Sequence, residues 1–281
     1  MLNILPFEQL ICPLDALPLT REHASWVCPH GHSFDIAAKG QVNLLPVQHK
    51  HSREPGDHKQ MVLARRQFLN AGHYQPIARA INHVLLSRWE GRALVSCLDA
   101  GCGEGYYLRE LASAERDGSL ALLGIDISKW AVLSAARQDR RPAWVVASNA
   151  RLPVVSESID AVLCLFGFPV YAEFKHVIVP GGLLLKADAG PDHLRELRDI
   201  IYPQRKTERA TEPPCPDGFV LLSRESLRYS IHLDTGEVIA NLLAMTPHYY
   251  RAGAQGRRKA DALREITLTI DVTLSCWERV G

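Results

Sequence analysis

A short glycine-rich segment follows directly after an apolar run and has the residue types of a cofactor-binding loop. Residues 98–107 read LDAGCGEGYY, and residues 93–95 before them are apolar. This pattern predicts a strand, a tight turn and a helix, which together expose backbone to a ligand at the edge of a parallel sheet. Tyr106 occupies the position where a dinucleotide-binding fingerprint has its last glycine. A phosphate loop would need Lys followed by Ser or Thr, and this segment has neither.

The charge of the loop narrows the class of ligand. Asp99 and Glu104 flank it, and two carboxylates oppose the pyrophosphate of NAD or ATP. A ligand with ribose hydroxyls and a positive centre suits the loop better, and S-adenosylmethionine has both. Asp126 ends the next predicted strand, where a carboxylate can accept hydrogen bonds from both ribose hydroxyls. The other interpretation of Asp126, a cap of the helix that begins near Ser128, is compatible with this one. The predicted cofactor contacts in this part of the chain are Asp99, Gly101, Gly103, Gly105 and Asp126.

The elements that must position these residues alternate along the chain from residue 93. The sequence predicts strands at 93–99, 120–125, 143–147, 160–166 and 182–188, and helices near 105–115, 128–138, 171–177 and 191–202. This alternation favours an α/β fold with a doubly wound, mostly parallel sheet. Further strands at 219–233 and from 266 onward, with a helix near 236–245 between them, predict an antiparallel pair at one edge. Residues 203–217 read as a charged, proline-rich loop.

Composition sets the broad class of the protein. The chain has 281 residues, of which 47% are hydrophobic and 22% charged, enough for one large domain and a small module. Its net charge of +1 gives no overall sign of nucleic-acid binding, so any basic surface must be local. Seven cysteines, three of them beside predicted strands, favour a reducing compartment. Without a basic leader or a long apolar run, we expect a cytoplasmic protein that has no membrane partner.

The first 46 residues carry a second set of chemically active side chains. Cys12 and Asp15 are separated by two residues, and Cys28 and His32 by three, which is close to the ligand spacing of a structural zinc site. So short and proline-rich a segment cannot bury enough apolar surface to fold alone, so a metal has a physical role in it. Asp15 stands where a thiolate is expected, and His23 or His30 could replace it. A packed, metal-free remnant is the alternative.

Residues 47–90 form a basic connector followed by two predicted helices. Asp57 is the expected N-cap of a helix through Leu69 that stops near Gly72, and Pro76 opens the next. The basic side chains of this segment either contact phosphate groups or form a solvated helix face, and spacing alone favours the solvated face. They are Lys50, Arg53, Lys59, Arg65 and Arg66, interleaved with His49, His51 and His58.

Seven short sequence motifs occur one after another along the chain and span the segments described above. They are CPL, VNLLPVQHK, REPGD, ARRQFLNAGHYQP, GCGEGYY, GPDHL and MTP. With them the chain resembles, over nearly its whole length, the 23S rRNA guanine-N1 methyltransferases of the RlmA type. The combination of ARRQFLNAGHYQP with GCGEGYY separates this family from generic small-molecule methyltransferases.

The resemblance implies a division into three parts. Residues 1–46 would be a zinc-ribbon-like module that recognises RNA, residues 47–90 a basic connector and helices on the RNA-facing side, and residues 91–281 a class I methyltransferase domain. The enzyme would methylate N1 of one guanine in a hairpin of 23S rRNA, with S-adenosylmethionine as donor and, in many relatives, as a homodimer. Carried over by position, cofactor contacts fall on Tyr74, Gly103, Glu104 and His193, and zinc ligands on Cys12, Asp15, Cys28 and His32.

The proposed reaction needs side chains that stack on the target base and a group that accepts the proton from its N1 atom. Stacking candidates are Tyr106, Tyr107, Phe166 and Phe168, although Tyr107 and Phe166 are expected in the core. Asp188 and His193 are the candidates for the proton acceptor. Two other functions stay open: a small-molecule or antibiotic-biosynthetic methyltransferase of the same fold, and an RNA-binding relative without activity.

Overall fold

A nine-stranded sheet lies at the centre of the computed structural model. The described residues are 3–49, 52, 54–114, 118–202, 215–246, 248 and 252–281. The predicted loop therefore lies outside them at residues 203–214, as do Lys50, His51 and Arg53 of the basic connector. Along the sheet the strands follow the order β11 (Phe219–Leu233), β12 (Ile266–Arg279), β10 (Ile178–Ala189), β9 (Ile159–Leu165), β6 (Leu94–Ala100), β7 (Ser119–Asp126), β8 (Ala143–Val146) and β5 (Val42–Asn43), and β1 (Asn3–Pro6) pairs with β7.

The predicted α/β fold is confirmed, because a helix follows four of the five parallel strands and only β8 leads directly to the next strand. The strands are β6 (Leu94–Ala100), β7 (Ser119–Asp126), β8 (Ala143–Val146), β9 (Ile159–Leu165) and β10 (Ile178–Ala189). The helices of this part are α3 (Tyr106–Ala112), α4 (Lys129–Gln138), α5 (Tyr171–Val177) and α6 (Arg195–Ile201). Before them come α1 (Lys59–Asn70) and α2 (Gln75–Arg88). Apolar runs bounded by glycine, proline or polar turns set these strands, so β6 to β9 begin and end within one residue of the prediction. β10 begins at Ile178, four residues before the predicted start, and its register shifts between Ile178 and Leu183.

The predicted antiparallel edge pair is also confirmed. β12 (Ile266–Arg279) runs antiparallel to both β10 and β11 (Phe219–Leu233), and α7 (Gly236–Met245) connects β11 to the following segment. A further helix, α8 (Ala254–Asp261), was not predicted. Its sequence AQGRRKAD buries little more than Gly256 and Ala260, so it lacks the apolar periodicity that marks a helix.

The N-terminal region contributes to two different sheets. Three short strands form a separate sheet: β2 (Thr20–Glu22), β3 (Ser25–Val27) and β4 (Ser33–Asp35). The flanking strands β1 (Asn3–Pro6) and β5 (Val42–Asn43) instead pair in parallel with β7 and β8 of the large sheet. A short 3-10 helix, Val47–His49, follows β5. The N-terminal region is thus joined to the large sheet by one strand that precedes its own small sheet in the sequence and by one that follows it.

The large sheet buries both of its faces. One face packs against α2, α3, α4, α6 and α7, and the other against α5 and the N-terminal region. At the first face Trp144 covers Gly105 and Gly124, where a Cβ atom would collide with the indole ring. These two glycines therefore bring the glycine-rich loop and β7 close to the same aromatic side chain. Within the described residues, no helix is long and apolar enough to cross a membrane.

Candidate active site and candidate metal centre

The glycine-rich loop leaves β6 and is fixed to the end of β7 by Asp126. Its three glycines all have positive φ angles, 94° at Gly101, 55° at Gly103 and 83° at Gly105, which L side chains rarely adopt. The Asp126 carboxylate accepts hydrogen bonds from the backbone N–H groups of Gly103 (2.9 Å) and Ser128 (2.8 Å). Ser128 itself is the N-cap of α4. Asp126 therefore holds the predicted cofactor loop in place, and its position at the strand tip is the one expected for a ribose contact.

Asp99 is a buried carboxyl group with an unsatisfied oxygen. Only 1% of the residue is exposed, and Oδ1 has no hydrogen-bond partner among the described residues. Burial, followed by the nearby charge of Asp126, raises the pKa of Asp99 to about 8. A buried acceptor without a partner is costly, so a donor from a ligand is the natural complement. The amino group of S-adenosylmethionine is such a donor, and this residue fits that cofactor.

Glu104 has its carboxylate engaged inside the protein. Arg109 Nη2 lies 2.9 Å from Glu104 Oε2, and the amide of Gln138 donates to the same oxygen. Burial raises the pKa of Glu104 in spite of Arg109. Because the side chain is fully buried and already paired with α3 and α4, a cofactor contact at this position would use the backbone. The contact itself stays a prediction.

Tyr74 and His193, far apart in the sequence, meet in the interior. The Tyr74 hydroxyl lies 3.1 Å from Nε2 of His193, and Nδ1 accepts the backbone N–H of Asp271 at 3.3 Å. Burial lowers the pKa of His193 to about 4, so the imidazole is neutral at pH 7. A neutral ring that accepts at Nδ1 carries its proton on Nε2 and donates it to Tyr74. The Tyr74 hydroxyl therefore keeps its own proton for another partner.

Two of the four aromatic candidates are exposed. Phe168 is 90% exposed and Phe166 40%, whereas Tyr106 and Tyr107 are buried at the start of α3. The expectation that Phe166 lies in the core is wrong. Its φ of 55° turns the chain at the end of β9, and its ring centre lies 6.0 Å from those of Tyr74 and His193. The Phe166 ring thus lies between the buried Tyr74–His193 pair and the solvent.

Asp188 occupies the end of β10 beside a lysine that the sequence analysis missed. Lys186 Nζ lies 2.9 Å from Asp188 Oδ2, with the lysine side chain 9% exposed and the aspartate 39%. Burial acts to lower the pKa of Lys186, but the hydrogen bond and charge of Asp188 outweigh it and the pKa is raised, so the ammonium stays charged. The signal in the sequence is the single charged residue within the apolar run LLLKA.

Arg65 of the basic connector faces inward. It pairs with Asp57 at 2.5 Å, donates to the backbone carbonyl of Met245 at 3.2 Å, and lies against Gly103 of the cofactor loop. It therefore holds α1 near the cofactor loop and is only partly exposed. Asp57 is not the N-cap of α1 as predicted, because His58 accepts the hydrogen bond from the backbone N–H of Met61.

The four predicted metal ligands come together in the N-terminal region. One donor atom from each of Cys12, Asp15, Cys28 and His32 lies within 4.8 Å of the others. His32 Nδ1 lies 3.5 Å from Cys12 Sγ, 3.4 Å from Cys28 Sγ and 3.1 Å from the Asp15 carboxylate. With zinc bond lengths of about 2.0–2.3 Å, the edges of a tetrahedron are roughly 3.3–3.8 Å. The donor set and its spacing therefore fit zinc.

The residues around Asp15 keep its carboxylate charged. Partial burial acts to raise the pKa of Asp15, but hydrogen bonds from Cys12, the backbone of Leu17 and Cys28 outweigh it, so the pKa lies below its usual range. The side chain is therefore an anion at neutral pH, as a metal ligand must be. His30 lies outside the set of four and bonds to the Asp15 carboxylate at 3.1 Å. The alternative ligand His23 is not part of the cluster within the described residues.

Family models match the two parts of the chain that carry these candidate sites. A family model described as "RlmA, N-terminal", a zinc ribbon, matches residues 10–53, and one for a methyltransferase domain matches residues 97–182. A Streptomyces fradiae protein named 23S rRNA (guanine(748)-N(1))-methyltransferase is 32% identical over 94% of this chain and 95% of its own length. The chain belongs to the 23S rRNA (guanine-N1)-methyltransferase family.

Other relatives cover different shares of the chain. A Bacillus subtilis protein, "Putative 23S rRNA (guanine-N(1)-)-methyltransferase YxjB", is 29% identical over 98% of both chains. The malonyl-[acyl-carrier protein] O-methyltransferase of Methylovorus is 33% identical over only 48% of this chain and 52% of its own. Among solved structures, the YcgJ protein of Bacillus subtilis has a TM-score of 0.44 and 14% identity over 71% of this chain and 98% of that one.

Proposed function

We propose that this family member transfers a methyl group from S-adenosylmethionine to N1 of one guanine in a hairpin of 23S rRNA. The observation that carries the proposal is the similarity to the Streptomyces fradiae enzyme over the whole chain, ribbon and catalytic domain together. The similarity to O-methyltransferases of a carrier protein stops at about half the chain. A small-molecule methyltransferase has no evident need for the ribbon.

The cofactor would lie across the tips of β6 and β7. We propose that its ribose hydroxyls bond to Asp126 and its amino group to Asp99, against the backbone of Gly101, Gly103, Glu104 and Gly105. Tyr74 would donate its free hydroxyl proton to the cofactor, and His193 would hold that hydroxyl in place. The sulfonium supplies a methyl group ready for transfer, so the protein has to align the base and keep water out.

The target guanine must leave its helix to reach this site. A base in a hairpin loop is splayed out at a lower cost than a paired one. The exposed rings of Phe166 and Phe168 follow β9, beside the proposed cofactor site, and can stack on such a base. This stacking role would also explain why the loop keeps two large apolar side chains in contact with solvent.

The N-terminal region has a supporting role in this proposal. We infer that residues 1–46 form an RNA-recognition module, that residues 47–90 connect it to the catalytic domain 91–281, and that Cys12, Asp15, Cys28 and His32 hold zinc. Zinc would tie together the two loops that carry its ligands, and it takes no part in methyl transfer. A cytoplasmic homodimer completes the proposal, and light scattering measures the dimer.

Methylation of purified rRNA tests the function. The protein is mixed with labelled S-adenosylmethionine and protein-free large-subunit rRNA, and reverse transcription then maps the product. N1 methylation blocks base pairing, so the polymerase should stop at one guanine. Asp126→Ala should abolish both the label and the stop, whereas Asp261→Asn, on the exposed surface of α8, should retain them. Label on small molecules, or no transfer to rRNA, would contradict the proposal.

A further inference from the structure

A charged lysine lies almost buried inside β10. Lys186 follows three consecutive leucines and its side chain is 9% exposed. Burying an ammonium group is costly unless it is paired, and Asp188 is its partner at 2.9 Å. An apolar residue at this position would pack against the same neighbours without that cost. The pair is therefore better explained by a chemical task than by stability.

The Lys186–Asp188 pair lies next to the loop that follows β9. Lys186 is opposite Cys164 in the parallel register of β10 and β9, and the backbone N–H of Phe166 donates to the carbonyl of Ala187 at 2.8 Å. The pair thus flanks the point where the exposed Phe166–Pro169 segment leaves the sheet. In open α/β sheets this carboxyl edge of the strands is where ligands bind.

The same segment connects the pair to the cofactor loop. A Cβ atom on Gly167 would lie 3.7 Å from Cys164 Sγ and 4.0 Å from the carbonyl oxygen of Ala100, the last residue of β6. Gly167 therefore lies between the start of the glycine-rich loop and the strand position beside Lys186. A base that stacks on Phe166 or Phe168 would bring its edge towards this region.

The polarity of the pair matches one edge of guanine. Guanine presents an N1–H donor next to the O6 acceptor, while adenine presents an acceptor at N1 next to the N6 donor. A carboxylate accepts only and an ammonium donates only. Asp188 is thus suited to N1–H and Lys186 to O6, and the two charges lie 2.9 Å apart, as adjacent groups on one base edge require. Adenine would place donor against donor and acceptor against acceptor.

We propose that Asp188 accepts the N1 proton of the target guanine and that Lys186 stabilises the resulting charge at O6. The N1–H bond breaks, its proton moves to the Asp188 carboxylate, and its electron pair stays on the base, shared between N1 and O6. N1 then forms its bond to the methyl group, and the electrons of the broken S–C bond stay on sulfur. This step rests on the proposed function, and it gives both residues direct contact with the substrate.

Single-turnover methylation of the rRNA tests the pair. Asp188→Asn keeps the shape of the side chain but cannot take up the proton, so its rate at pH 7 should fall about 10²–10⁴-fold. Lys186→Met keeps the length without the charge and should cost about 10²–10³-fold, the loss typical of one stabilising donor. Lys186→Arg should recover part of it. S-adenosylmethionine affinity, measured by calorimetry, should stay within about threefold of wild type in all of them.

The pH dependence separates a proton acceptor from a structural residue. With Asp188→Asn, hydroxide has to remove the N1 proton, so the rate should rise about tenfold per pH unit between pH 6 and 8. The wild-type rate should rise much less over this range. A purely structural loss would be the same factor at every pH. Lys175→Met and Asp217→Asn alter another Lys–Asp pair, at 3.1 Å and more exposed, and serve as matched controls.

The outcomes distinguish this inference from the proposed function. An active wild type whose Asp188→Asn and Lys186→Met variants match the controls would overturn the inference alone. Loss of cofactor binding in these variants, or a loss of rate that does not change with pH, would also overturn it. A wild type that methylates no rRNA would overturn the proposed function and, with it, this step.

Discussion

Without cofactor, wild type should lose stability relative to an Asp99→Asn variant as the pH rises. The pKa of Asp99 is raised from its ordinary 3.8 to about 8, so the folded protein holds a proton there that the unfolded chain has released. Folding between pH 4 and 8 therefore takes up one proton, and the stability contributed by this group is lost as the pH rises through that window. Asn resembles the neutral carboxyl group but has no proton to take up.

The size of the effect follows from linkage. One proton taken up on folding lowers the free energy of unfolding by about 1.36 kcal/mol per pH unit. Between pH 5 and pH 7, wild type should therefore lose about 2.7 kcal/mol relative to Asp99→Asn. All other titrating groups are shared by the two proteins, so they cancel in the difference. Because Asn stands for the neutral carboxyl group, the two proteins should be about equally stable at pH 5, and the variant should be the more stable at pH 7 although it lacks a residue of the proposed cofactor site.

Urea denaturation at pH 5, 6 and 7 without cofactor measures this difference. Asp261→Asn, on the exposed surface of α8, should give a stability profile parallel to that of wild type and serves as the control. Calorimetry should show that Asp99→Asn binds S-adenosylmethionine more weakly, because Asn cannot release a proton and become the charged partner of the cofactor's amino group. Parallel profiles for wild type and Asp99→Asn would refute the reasoning, since Asp99 would then be ionised in the free protein.

Two further predictions concern the metal centre and the glycines beside Trp144. Purified protein should contain one zinc per chain, Cys28→Ser should lose it together with thermal stability, and Asp15→Cys should bind it more tightly because thiolate is the softer ligand. Protein that is produced with ample zinc and still contains none would contradict the prediction of a zinc centre. Gly124→Ala should lower the free energy of unfolding by about 1–3 kcal/mol, because its Cβ atom would collide with the Trp144 ring. Urea denaturation should show little change for Gly253→Ala, which has open space around it.

The sequence was enough to predict the order and type of the central elements. Strands β6 to β10 are apolar runs bounded by glycine, proline or polar turns, so their local pattern agrees with their final state. The polar helix α8 was missed, because it packs through only a few small residues. The N-cap of α1 was placed one residue early, at Asp57 instead of His58, since both residues can accept the capping hydrogen bond.

The parts of the site that escaped prediction depend on how each side chain is finally oriented and packed. Nothing local to Lys186 indicates whether Asp188, two residues further along, holds it or whether the lysine reaches solvent. Phe166 looks like a core residue by composition, but its backbone turns it outward at the end of β9. The clustering of the four candidate metal ligands could be predicted because ligand spacing is a local property, whereas the bond between Tyr74 and His193 joins residues 119 positions apart.

The pairing of β1 and β5 with the large sheet limits how the protein can be divided. Deleting the first 46 residues would leave the outer edges of β7 and β8 without their partners, and unpaired strand edges promote aggregation. Exchanging the ribbon between family members would therefore require transfer of these two strands and a matching register on the recipient sheet. The ribbon is thus a structural part of the sheet of the catalytic domain, because the strands on either side of it in the sequence complete that sheet.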